Sequence, residues 1–163
     1  MAALLLCQAV SFGQNSKTDV EAQKMLGNLS FIKGKWAGSG WMMTQNGKKE
    51  AFTQTEDISY QLDGTLLLIL GHGKAEGETI HNALALVSYN KEKQQLVFRS
   101  YLANGTQGEY LAEFKKNSLW WYPNENMRYI ITLNDKGQWQ EIGEMNRSGS
   151  WNRFFEMTLD KMN

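Results

Sequence analysis

Gly34-Lys35-Trp36 follows a short helical stretch and opens a long series of strand-like runs. Upstream of it, Ala22, Met25, Leu26 and Leu29 recur at helical intervals, and Thr18 with Glu21 has capping-box spacing. With Gly27 as a C-cap, this predicts a short helix over 19–26. Phe31 and Ile32 are expected in a further turn that packs against one end of the structure that follows.

From Lys35 onward, turn signals recur at even intervals: Asn46-Gly47, Asp63-Gly64, Glu76-Gly77, Asn90 to Lys93, Asn104-Gly105, Lys116-Asn117, Asn124 to Asn126, Lys136-Gly137 and Ser148-Gly149. They divide the chain into strands at 35–43, 50–62, 65–75, 78–89, 94–103, 108–115, 118–123, 127–134, 138–146 and 150–160. A meander so evenly spaced buries its edges best by closing on itself. The expected fold is all-β: a single, roughly ten-stranded antiparallel up-and-down barrel with a short N-terminal helix. Residues 14–33 would form the helix and plug, and 34–163 the barrel.

Hairpin register assigns faces. Two-residue loops at Asp63-Gly64 and Glu76-Gly77 pair Tyr60 with Leu67 and Leu70 with Ala83, and cross-strand partners share a face. One face then holds Phe52, Gln54, Glu56, Ile58, Tyr60, Leu62, Leu67, Ile69, Leu84 and Leu86, and is expected to line the lumen. The opposite face would carry Leu66, Leu68, Leu70, Ala83, Ala85 and Val87 outward, an apolar patch suited to a homodimer or a covering helix. One bulge would exchange these assignments.

Composition agrees with a barrel. Six Trp, six Tyr and seven Phe suit strands and a filled interior, and a single Pro suits long ladders. Lys plus Arg and Asp plus Glu are both 17, so no net charge points to nucleic acid or an anionic membrane. Met1 to Gln14 is uncharged and largely apolar, with Ser11 and Gly13 at small-residue spacing. It reads as a signal peptide over 1–13 and implies a periplasmic or secreted protein. The run is too short for a membrane span. Removing it removes Cys7, the single cysteine, and with it disulfides, thiolate metal sites and a Cys nucleophile.

In the last strand, Trp151, Arg153, Phe155, Met157 and Leu159 alternate with Asn152, Phe154, Glu156, Thr158 and Asp160. Arg153 among apolar neighbours needs an aromatic plane or a carboxylate, and Trp36 is the candidate plane. Gly34-Lys35-Trp36 on the first strand with Arg153 on the last resembles the closure of the calycins, the lipocalin and fatty-acid-binding barrels. The segment from Phe31 to Gly40 is similar to the opening of nitrobindins. Trp36-Ala37-Gly38, Leu62-Asp63-Gly64, Ser88-Tyr89-Asn90 and Asn104-Gly105-Thr106-Gln107-Gly108, in that order, resemble a bacterial lipocalin-like family of unknown function. The resemblance spans about residues 29 to 160. It implies closure of one barrel end by Trp36 and Arg153 and a lumen able to hold a small molecule. Nitrobindins hold haem iron through a His near the C-terminal strands. This chain has no His after His81, so the resemblance stops short of that ligand.

Glu56 is the polar misfit of the expected lumen. A carboxylate among Phe52, Ile58 and Tyr60 must be paired, protonated or wet. Either Arg99 or Arg153 pairs with it, or it recognises the polar head of a ligand. Trp120-Trp121-Tyr122 places one Trp on each face of its strand, and Met127 with Tyr129 alternates with Arg128 and Ile130. These aromatics either line a cavity or fill it. His72 and His81 would sit opposite each other across the Glu76-Gly77 loop, two ligands without a third and so a weak metal candidate. No nucleophile elbow or phosphate loop occurs.

The reading that results is an exported, non-catalytic barrel that binds a small apolar or amphipathic molecule through Glu56, Tyr60, Arg99, Trp121 and Tyr129, without a cofactor. The alternatives are a nitrobindin-like haem protein or isomerase, and a packed barrel that acts as an interaction module.

Overall fold

The computed structural model describes residues 17–163, so the leader expected at 1–13 lies outside the described residues. Helix α1 (Val20–Gly27) and a short 3-10 turn (Ser30–Ile32) precede ten strands. These are β1 (Gly34–Met43), β2 (Lys49–Gln61), β3 (Leu66–Ala75), β4 (Glu78–Asn90), β5 (Gln95–Leu102), β6 (Gln107–Lys115), β7 (Ser118–Asn124), β8 (Met127–Leu133), β9 (Trp139–Arg147) and β10 (Ser150–Lys161). Each strand pairs antiparallel with the next, and β10 pairs with β1, closing the barrel. Closure leaves no strand edge unpaired, as the even spacing of turn signals required.

The helix plugs one end. Its N-cap is Asp19, whose carboxylate accepts from the Glu21 and Ala22 N–H groups at 3.0 and 3.1 Å; Thr18 does not cap it. Leu26, Leu29 and Ile32 are fully buried against the interior residues of the adjoining strands. Tyr60 donates its hydroxyl proton to the Leu26 carbonyl at 2.8 Å and ties β2 to the end of α1. Tyr60→Phe keeps the ring and orphans that carbonyl. We expect a loss of about 1 kcal/mol in urea unfolding, and an unchanged midpoint would show that water replaces the bond.

Strand alternation decides which side chains enter the lumen, and two bulges correct the expected faces. Tyr60 pairs with Leu67 as the hairpin register requires. A bulge at Gly73/Lys74 then shifts β4 by one residue, so Leu70 pairs with Leu84 instead of Ala83. Ala83, Ala85 and Val87 therefore face inward. Leu84 and Leu86 face outward beside Leu70 and Leu68. The outer apolar patch exists, with different members on β4.

The second bulge lies between Arg153 and Phe155. Both Phe154 and Phe155 reach the Tyr129 ring, at 5.6 and 5.7 Å between centroids, while Arg153 is left exposed and donates to Glu156 at 2.9 Å. Arg153 is therefore not the partner of Trp36. The cation beside Trp36 is Lys161, which pairs with it across β1 and β10 and lies 5.2 Å from the ring. Trp36 itself is held by its indole N–H donating to the Ile32 carbonyl at 2.8 Å and by an edge contact with Trp139 at 6.0 Å. Outside the barrel, Trp120 and Trp151 sandwich the Arg128 guanidinium, which also pairs with Glu144 at 2.7 Å.

Candidate functional site

Two carboxyl groups enter the lumen. Glu56 comes from β2 and Glu141 from β9, with β1 and β10 between them in the wall. Glu141 shares its inward face with Trp139 and Gly143, all three buried. Glu56 is 7% exposed and Glu141 9%.

Glycines make room for this polar floor. A Cβ on Gly71 would stand 2.9 Å from Glu56 Oε1, and one on Gly73 would collide with Gln54 Oε1. The Glu56 and Gln54 side chains therefore lie across β3 at two places where it has no side chain, the usual meaning of glycine inside a strand. Gln54 donates from Nε2 to Glu56 Oε1 at 2.6 Å.

Burial without a cation sets the charge state. Burial pushes the Glu56 carboxyl up to about 7, against the opposing bond from Gln54. Burial and then the charge of Glu56 push Glu141 up to about 8. Each proton belongs to the pair more than to either residue. The indole N–H groups of Trp139 and Trp121 are close enough to draw Glu141 back towards ionisation, yet neither forms a hydrogen bond of good geometry. Glu56 Oε2 also has no partner. Three buried polar atoms thus converge on the lumen without a protein partner, a place for water or for the polar group of a ligand.

Above this floor stands an aromatic wall. Phe98, Trp121 and Tyr129 stack face to face, with centroids 4.5 and 4.4 Å apart and planes within 6°. Tyr110 leans on Trp121, and Phe155 meets Tyr129 edge-on. Trp121, Tyr129, Tyr110 and Phe155 are only half-buried, so solvent reaches this wall. Burial, followed by Glu141 and Tyr110, raises the Tyr129 hydroxyl well above its usual range and keeps it neutral. At the rim opposite the helix, a concavity of ≈ 620 Å³ lies among Asn124, Asn126, Met127, Met145 and Asn146.

A groove of ≈ 650 Å³ also crosses the outer wall from β1 to β5, beside Lys35, Asp57, Leu70, His72, Leu84 and Tyr101. Its flanking side chains alternate with Glu56 and Gly71, so it lies on the other side of the wall from the carboxyl groups. The unsatisfied polar atoms favour the lumen as the site.

Of the residues expected to bind a ligand, the structure brings Glu56, Trp121 and Tyr129 together in the lumen. Tyr60 belongs to the plug. Arg99 faces outward, where it pairs with Glu109 at 2.9 Å and donates to Ser88; it does not neutralise Glu56. The histidines are not opposed. The Gly73/Lys74 bulge pairs His72 with Asn82 and His81 with Gly73, and no cluster of three potential metal ligands occurs among the described residues. Sequence reasoning missed Glu141, Trp139 and the Phe98 ring. Alternation along Trp139-Gln140-Glu141-Ile142-Gly143 was the signal for the first two.

The crystal structure of Rv2717c from M. tuberculosis is similar to this barrel, with a TM-score of 0.64 over 85% of this chain and 98% of that chain at 11% sequence identity. The barrel fits a calycin-like fold. At that identity the likeness is one of architecture alone. No protein-family model matches the chain, and no curated protein matches it in sequence.

Proposed function

We propose that this protein is a non-catalytic small-molecule binder that takes an amphipathic ligand with a flat apolar body into the upper lumen. The observation that carries the reading is the set of unsatisfied buried atoms, Glu56 Oε2 and the Trp121 and Trp139 Nε1 groups, beneath a half-buried aromatic stack. The stack offers apolar area and ring faces for the body, and the polar floor orients the head. Export to the periplasm or the medium is part of the proposal and rests on the apolar leader alone.

The test uses a neutral fluorescent probe, N-phenyl-1-naphthylamine, with native mass spectrometry of protein purified from its own host. The probe should brighten on binding, and Trp121→Ala should weaken it about tenfold, equivalent to ~1.4 kcal/mol. Mass that survives purification would identify the resident ligand. No brightening together with a clean apo mass would refute the binder and favour the packed barrel.

A further inference from the structure

The floor of the lumen has an uneven charge inventory. Among the described residues the buried polar ones are Gln54, Glu56, Ser118 and Glu141, with no buried lysine or arginine. The arginines that flank the site in sequence are engaged outside the barrel: Arg99 with Glu109, Arg128 with Glu144, and Arg153 with Glu156. On the inward face, Tyr129 from β8 lies near Glu141, Tyr110 from β6 lies near Tyr129, and His81 from β4 sits with Gln54 over Gly73. Burial holds Tyr129 neutral, and burial with the nearby charge of His72 holds His81 towards neutrality. The interior therefore contains acids, ring faces and indole donors without a countercharge.

We propose that the lumen selects an organic monocation, an amine or quaternary ammonium on an apolar body, seated between Glu56 and the Phe98–Trp121–Tyr129 stack. This rests on the reading of the lumen as a binding site and adds the charge class of the ligand. A carboxylate ligand would be buried beside two glutamates with no cation to meet it. A positive charge meets ring faces that attract it and a carboxylate oxygen that lacks a partner. The orphaned indole groups then acquire a role, because Trp121 and Trp139 can donate to Glu141 once it ionises.

The exchange balances in charge. As one positive charge enters, the carboxyl pair releases protons to solvent, up to one for each cation bound. Binding therefore strengthens as pH rises from 6 to 8, the range over which the pair gives up its protons.

The test displaces N-phenyl-1-naphthylamine with three benzyl probes: benzyltrimethylammonium, its neutral isostere neopentylbenzene, and the anion 3-phenylpropanoate. The cation should compete at least about tenfold more strongly than the neutral isostere at pH 8, and the anion least. Calorimetry in phosphate and in Tris should show proton release on cation binding. Glu56→Gln and Glu141→Gln, each checked for folding by a cooperative urea transition, should lower cation affinity, and the double variant should lose its pH dependence. Equal competition by cation and neutral isostere overturns the charge preference and leaves the binding site standing. Failure of all probes, N-phenyl-1-naphthylamine included, overturns both.

Discussion

Raising the pH from about 5 to 9 is expected to remove several kcal/mol of folding stability, on the order of 3 to 6, through two carboxyl groups alone. Glu56 and Glu141 have an ordinary value of 4.5, and folding raises them to about 7 and about 8. Between these values the folded chain holds protons that the unfolded chain has given up. Stability is therefore fully present below about 4.5 and is lost as pH rises through 7 and 8. The cause is burial without a countercharge, since Gln54 is the single strong hydrogen-bond partner of the pair. Urea unfolding at a series of pH values measures the slope. The Glu56→Gln/Glu141→Gln double variant should lie nearly flat over the same interval, because an amide keeps the shape and cannot ionise. Parallel curves for the two proteins would mean that the carboxyl groups are wetter than their burial implies.

Trp36→Ala should cost about 3–5 kcal/mol, the range for emptying a buried large aromatic. Trp36 is 1% exposed and sits where β1, β10 and the plug meet. Its removal leaves a void against Trp139 and orphans the Ile32 carbonyl that its indole N–H serves. Arg153→Ala should cost less than about 1 kcal/mol, because an exposed ion pair with Glu156 is largely screened. Denaturant midpoints of the two variants distinguish a closure built by Trp36 and the plug from one built by a Trp–Arg stack. Comparable losses would restore the arginine to the closure.

The ten strands were legible because the turn signals are local. The hairpin glycines, with Asp63 and Asn117, adopt left-handed backbone, as at Asp63-Gly64 with φ of 54° and 88°, and such preferences need no tertiary context. Facing was legible only as far as the first bulge. The Gly73/Lys74 irregularity exchanged the whole inward set of β4, and the Arg153/Phe155 irregularity removed Arg153 from the interior. A bulge adds one residue to one strand and leaves no reliable mark in composition.

The candidate site was half legible. Glu56, Trp121 and Tyr129 stood out as residues whose chemistry or size conflicts with a plain β-face. Glu141 escaped because a carboxylate on one strand gains meaning only from another carboxylate nearby. These two lie 85 residues apart in the chain and are brought near by closure of the barrel. Local periodicity and turn chemistry are enough to specify a closed antiparallel meander with a helical plug and an aromatic-rich interior. Which side chains share that interior, and that two acids meet there without a cation, depends on register around the whole ring. Register is set by strand pairing and bulges acting together, and no segment of the sequence encodes it alone.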